Sequence, residues 1–164
     1  MNGLEGLAFT QARSAREYQD RPTTSDWAKV LATVPLFSGL SKRRLRKLAE
    51  QATFAEFTAG EAVLATGDTA DSLYVILGGS AKAVGKPAAR ALRAGDYFGE
   101  LALIDEAPRS ATVIAGKELH VMRLPWQSVL WLARKHPAIT LTMMRNLTTQ
   151  LRRLEAQAAR PVLS

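Results

Sequence analysis

The stretch Phe98-Gly99-Glu100-Leu101-Ala102-Leu103-Ile104-Asp105-Glu106-Ala107-Pro108-Arg109-Ser110-Ala111-Thr112-Val113 carries the residue types that hold a small phosphate ester. Gly99 permits positive φ and lets the backbone come close to a ligand. Glu100 to Ile104 can open a short helix, whose unpaired amides at Leu101 and Ala102 and positive dipole end attract an anion. Arg109 adds a permanent cation, and its planar guanidinium can donate two parallel bonds to phosphate oxygens. The Ser110 hydroxyl and the Ala111 N–H follow on the same turn and can reach the same anion. Glu100 is the discordant member. A carboxylate beside a phosphate repels it unless a donor stands between, and a ribose hydroxyl is such a donor. The pattern therefore predicts a ligand with a phosphate and a ribose hydroxyl close together.

These residues need a rigid frame. From Thr53 to Leu124 the chain consists of short β-type runs, at 54–57, 62–64, 73–77, 80–84, 111–114 and 119–122. Gly60, Gly67-Asp68, Gly78-Gly79, Gly85-Lys86-Pro87 and Gly95-Asp96 mark the turns between them. Short strands at this spacing predict an antiparallel roll or jelly roll within an α+β fold, not βαβ units.

The two blocks Gly99-Glu100-Leu101-Ala102-Leu103 and Pro108-Arg109-Ser110-Ala111-Thr112-Val113 resemble the phosphate-binding cassette of cyclic nucleotide-binding domains. Such domains occur in cAMP-dependent protein kinase regulatory subunits, cyclic nucleotide-gated channels and the catabolite activator protein. The resemblance runs from about Trp27 to Glu155. It implies about eight strands, with the alanine-rich run 80–84 among them. It also implies a short phosphate-binding helix and helices before and after the roll. Through it Glu100 is expected to bond the ribose 2′-hydroxyl, and Gly99, Leu101, Ala102, Arg109, Ser110 and Ala111 the cyclic phosphate. Ser110 leaves the base open between cAMP and cGMP, with cAMP favoured.

Residues 1–23 read as an extension with one apolar helical face (Leu4, Leu7, Ala8, Ala12, Ala15, Tyr18), and 24–160 as one binding domain. Thr24-Ser25-Asp26 offer caps for a helix from Trp27 to Thr33, and Ser41 caps a second through about Gln51. Between them Leu36, Phe37 and Leu40 are expected in the core. After Pro125, read as a first-turn helix residue, Trp126–Lys135 is expected to be helical. Pro137 then opens a long helix to about Ala159. Its stripe of Ile139, Met143, Leu147, Leu151 and Leu154 fits a core or dimer seam. By the resemblance this helix lies over the base, with Leu147, Gln150, Leu151 and Leu154 as lid residues.

The chain has 164 residues, a net charge of +7, no cysteine and no apolar run long enough to span a bilayer. Without cysteine there is no disulfide or thiolate chemistry, which fits a reducing, cytoplasmic setting. Lys42-Arg43-Arg44-Leu45-Arg46-Lys47 is a basic run, read first as a solvated helix face and second as a docking site for an acidic protein, a membrane surface or nucleic acid. Nothing points to an enzyme. His120 and His136 lack a nucleophile partner, and no metal-ligand motif, Walker loop or nucleophile elbow is present. Asp105 and Glu106 read as a solvated turn. No cofactor or metal is expected, only a cyclic nucleotide as ligand.

The sequence thus predicts a sensor whose flanking helices respond to the ligand. With no helix-turn-helix after the long helix and no membrane span before the roll, its effector is expected either on another protein, acted on in trans, or on a fused domain outside this chain. The long helix offers a homodimer contact. The alternative is a family-like fold with a vestigial pocket that binds protein or nucleic acid through the basic helix.

Overall fold

The computed structural model describes residues 23–85 and 89–161. The expected N-terminal helical extension, Thr23 apart, lies outside the described residues, as does the Lys86-Pro87 part of one predicted turn. Eight strands are present among the described residues: β1 (Thr53–Phe57), β2 (Ala62–Leu64), β3 (Ser72–Gly78), β4 (Ser80–Val84), β5 (Arg90–Arg93), β6 (Tyr97–Phe98), β7 (Thr112–Ala115) and β8 (Leu119–Pro125). They form two four-stranded sheets, β1-β8-β3-β6 and β2-β7-β4-β5, and every pairing is antiparallel. This is the expected β-roll.

Side-chain alternation builds its interior. On β3, Tyr74 and Ile76 turn inward to a cluster with Phe57, Leu64, Leu92, Phe98, Val113 and Val121, while Leu73 and Val75 face the helices. β8 repeats the pattern, with Val121 inward and Met122 and Leu124 toward the helices. Both faces of this sheet are therefore covered, which is why Leu73-Tyr74-Val75-Ile76-Leu77 is apolar without a break. The β3–β4 turn depends on Gly79. Its φ is 78°, and a Cβ there would stand 1.8 Å from the Glu118 carbonyl oxygen.

The strand pattern marks six of these eight strands and misses β5 and β6. Arg90-Ala91-Leu92-Arg93 buries only Leu92, and β6 is two residues long, so neither shows a period. Their place is set by pairing with β4 and β3 and by the Arg93–Asp96 turn, where the Asp96 carboxylate accepts from Arg93 N at 2.9 Å.

Among the described residues five helices flank the roll: α1 (Thr24–Ala32), α2 (Lys42–Gln51), α3 (Glu100–Ile104), α4 (Trp126–Lys135) and α5 (Pro137–Ala158), with a 3-10 turn at Pro35–Phe37. The cap of α1 is Thr23, one residue before the expected trio. Thr23 N donates to Asp26 Oδ2 at 2.9 Å and Asp26 N to Thr23 Oγ1 at 3.3 Å, a reciprocal box that starts the helix before Trp27. Pro125 likewise ends β8 in extended conformation and does not enter the helix. Leu36 and Phe37 are buried, and Leu40 packs half-buried against the same cluster. Trp27 stacks on Phe54 with ring centroids 3.5 Å apart, tying α1 to β1.

Candidate functional site

α3 follows β6 directly, and Gly99 makes the corner. Its φ of 89° is left-handed, and a Cβ there would lie 2.5 Å from Arg109 Nη1. Glycine is needed both for the backbone and for the room it leaves the guanidinium. Arg109 reaches that corner from the loop between α3 and β7. Its own backbone is fixed, since Arg109 N donates to the Asp68 carbonyl at 2.8 Å and its carbonyl accepts from Gly67 N at 2.8 Å.

Arg109 is only 5% exposed, and its guanidinium donates to Gly99 O at 2.6 Å and to Ser72 O at 2.8 Å. Its cation lies 5.8 Å from the centre of the Tyr74 ring, which stacks on Phe98. An isolated buried arginine is costly without a partner. Here two carbonyls supply partners. Burial lowers the Arg109 pKa from its ordinary value, and the group stays charged. Behind it, Asp71 bonds Arg123 through both carboxylate oxygens at 2.8 and 2.9 Å and accepts from Ser72 Oγ at 2.9 Å. Burial alone would raise the Asp71 pKa, but these hydrogen bonds outweigh it and hold the carboxylate below its ordinary value.

Glu100 is 3% exposed at the start of α3. Burial pushes its carboxyl up. Its own backbone amide, the Arg90 and Arg109 charges and a hydrogen bond from the Gln150 side chain pull the other way without cancelling that. Glu100 and Arg109 open on one cavity of about 460 Å³. The predicted Gly99, Leu101, Ala102, Ser110 and Ala111 line it as well, and β-roll side chains Leu64, Ala83, Phe98 and Val113 form its apolar floor.

Of the expected lid residues, Gln150 and Leu154 line the cavity, whereas Leu147 and Leu151 are not in its wall. Leu151 is 56% exposed. Arg90, Arg153 and Gln157 also line the cavity and are absent from the sequence reading. Spacing could have found the α5 pair, because residues three and four apart share a helix face, and 150, 153, 154 and 157 form one such set. Arg90 had no comparable signal, since it sits on the unmarked strand β5.

The rival features lie elsewhere. Lys42, Arg43, Arg44, Arg46 and Lys47 are all exposed on α2, outside the cavity wall. His120 Nδ1 stands 3.3 Å from Glu56 Oε1 across the β1–β8 ladder, and His136 sits at the α4–α5 junction. Asp105 and Glu106 are exposed in the turn after α3. Among the described residues no group of three or more His, Cys, Asp or Glu side chains could hold a metal ion, and no helix is long and apolar enough to cross a membrane.

Comparison with known proteins gives this arrangement its family. The cyclic nucleotide-binding domain family model matches residues 54–136, which hold all the strands but Thr53 and the whole cassette. The cAMP-dependent protein kinase regulatory subunit of Emericella nidulans is 40% identical over 98 residues, covering 57% of this chain and 24% of that protein. The chain thus matches about a quarter of the length of this relative. Among solved structures, the regulatory domain of Toxoplasma gondii PKA with cAMP has a TM-score of 0.68 at 30% identity, over 76% of this chain and 50% of that one. The Thermus thermophilus catabolite activator protein has a TM-score of 0.64 at 25% identity, over 76% and 61% respectively. With the roll, the Gly99 corner and the buried Glu100–Arg109 pair, these matches establish that the chain belongs to the cyclic nucleotide-binding domain family.

Proposed function

We propose that residues 24–160 form a regulatory module that binds cAMP in preference to cGMP and passes binding on through its flanking helices, without catalysis. The observation that carries this reading is the convergence of buried Glu100 and Arg109 on one cavity, among the cassette residues. Arg109 and the amides of α3 hold the cyclic phosphate, with Ser110 and Ala111 beside them. Glu100 takes the ribose 2′-hydroxyl, and α5 covers the base through Gln150 and Leu154, with Leu147 and Leu151 stabilising the helix behind them. A ligand shifts the helices only by binding one arrangement more tightly than another, and contacts spanning the cassette and α5 provide that difference. The preference for cAMP is supported by the matched relatives, which are named cAMP-dependent kinase regulatory subunits. By the same likeness the effector is a protein kinase subunit, acting in trans or joined to the module.

Calorimetric titration of nucleotide-free protein with cAMP and cGMP, for wild type and Arg109→Ala, tests this. The expected result is micromolar or tighter binding by wild type, stronger for cAMP, and lost in the variant. Failure of the nucleotide-free wild type to bind either ligand would overturn the reading.

A further inference from the structure

Three helices place their charges as the helix dipole favours. α1 opens with Asp26 in its first turn and α3 with Glu100, and α4 closes on Arg134 and Lys135. α2 does the reverse: Lys42, Arg43 and Arg44 fill its first turn, with no acidic residue there to balance them. Lys42 lies four residues before Arg46, and Arg43 four before Lys47, so two like-charge pairs also oppose the helix. These five cations and Glu50 bring +4 of the chain's +7 into one helix. The ion pairs Lys29–Asp26, His120–Glu56 and Arg123–Asp71 leave all five without an acidic partner among the described residues. Local conflicts kept together in one short element point to a use beyond folding.

Leu45, Leu48 and Ala49 are buried against the core. At 3.6 residues per turn, Arg43 and Lys47 therefore crest the solvent side, with Lys42 and Arg46 on one flank and Arg44 on the other, and all five are exposed. With its apolar residues committed to the core, α2 has nothing to insert into a bilayer. It also lacks the aromatic or aliphatic anchor that protein interfaces bury at their centre. Phosphate contacts to a duplex need neither. A helix is about 10–12 Å across and the DNA major groove about 12 Å wide, so cations on both flanks of such a ridge can meet the two phosphate rows beside the groove. The RNA major groove is too narrow for this. We infer that the first two turns of α2 bind the phosphate backbone of double-stranded DNA without selecting a sequence. Glu50, further along the exposed side, opposes the contact and confines it to those turns. The surface lies outside the cavity wall, so the inference is independent of the nucleotide reading.

The test is fluorescence anisotropy of the full chain with a labelled DNA duplex of about 24 base pairs, followed from about 50 to 200 mM salt. Wild-type affinity should fall about forty- to five-hundredfold over that range, the slope for about three to five neutralised phosphates. The triple variant Arg43→Gln, Arg46→Gln, Lys47→Gln should bind about tenfold or more weakly at the low salt, with a slope smaller by about three. Removing as many exposed cations elsewhere, by Lys82→Gln, Lys117→Gln and Arg160→Gln, should cost less than about threefold. Glutamine keeps helix propensity and the α2 changes relieve like-charge pairs, so that variant should melt no lower than wild type, which separates lost binding from lost folding. Duplexes of unrelated sequence should bind within about threefold of one another, and an RNA duplex more weakly. No binding by wild type at the low salt, equal losses in the two triple variants, a preference of about tenfold for one sequence, or RNA bound as tightly as DNA would each overturn the inference. So would tighter binding to polyglutamate or to phosphatidylserine vesicles, which would make the partner an acidic protein or a membrane.

Discussion

On the cassette side of the cavity, Arg109 is anchored by the carbonyls of Gly99 and Ser72, its backbone is pinned to the loop at Gly67-Asp68, and Gly99 and Arg109 fit each other to within a methyl group. On the α5 side, the wall is made of Gln150, Arg153, Leu154 and Gln157 on a helix whose distal residues are exposed. One wall is built into the roll, with groups whose positions are fixed before any ligand arrives. The other hangs on a helix whose distal half is attached to the roll by the Asn146–Tyr97 side-chain bond. A preorganised wall supplies affinity, and a loosely tied wall can change its position at low cost when the ligand binds. On the proposed reading, affinity and readout fall to two different walls of one cavity.

The sharpest way to break this division is Arg109→Ala. Because it removes the partner of a desolvated phosphate, it should cost about 2–5 kcal/mol of cyclic nucleotide affinity, a loss of roughly thirtyfold or more by calorimetry. If the cassette wall dominates affinity, no single substitution on α5 should match this. Glu100→Gln should come next, weakening cAMP by about 1.5–3 kcal/mol as a charge-assisted bond to the ribose becomes a neutral one. The same change should have the opposite effect on the empty protein. Burial raises the Glu100 pKa above its ordinary 4.5, so between that value and the folded one the native chain binds a proton that the unfolded chain releases. Stability therefore falls as pH rises through that window. Glu100→Gln should then raise the melting temperature of free protein at neutral pH, with the gain disappearing below pH 4.5. A melting temperature that rises equally at all pH values would show that the Glu100 charge is not the cause.

Gly99→Ala tests the fit of the fixed wall. A left-handed alanine costs about 1–2 kcal/mol, and its methyl would also press on Arg109 Nη1. Thermal unfolding should move down by about 2–6 °C for a domain of this size, with cAMP affinity falling in parallel as the guanidinium is displaced. Loss of stability with affinity intact would mean that Arg109 holds its position without the glycine corner.

The two walls were unequally legible in the sequence for the same physical reason. The cassette is continuous in the chain, and its chemistry depends on a glycine, a carboxylate and an arginine at fixed separations, so all its expected members line the cavity. The wall on α5 depends on which face of a helix turns inward. The apolar stripe Leu147, Leu151 and Leu154 drew attention, yet the cavity is faced by the mostly polar set 150, 153, 154 and 157, a rotation that only tertiary contacts decide. Arg90 stayed hidden because β5 is held by its neighbours more than by its own pattern. The strands with buried β-branched and aromatic residues were visible, and the alanine strand β4 followed from family resemblance.

The smallest expected effect concerns the Asn146–Tyr97 bond, which lies outside the cavity wall. Asn146 is outside the cavity wall, and its contact is the Tyr97 hydroxyl, whose pKa is raised by burial. Asn146→Ala removes a donor from the hydroxyl of a buried tyrosine in a bond that is itself only part-buried, so the cost should be about 1 kcal/mol. Hydrogen exchange should detect it as faster opening of amides from Leu147 to Ala158, with the β-roll amides unchanged, because nothing buried holds that part of the helix. Affinity for cAMP should change less than twofold. If it changed as much as in Arg109→Ala, the distal helix would be setting affinity and the division between a fixed and a yielding wall would fail. If exchange from 147 to 158 were unaltered, the Asn146–Tyr97 bond would not be what attaches the distal helix.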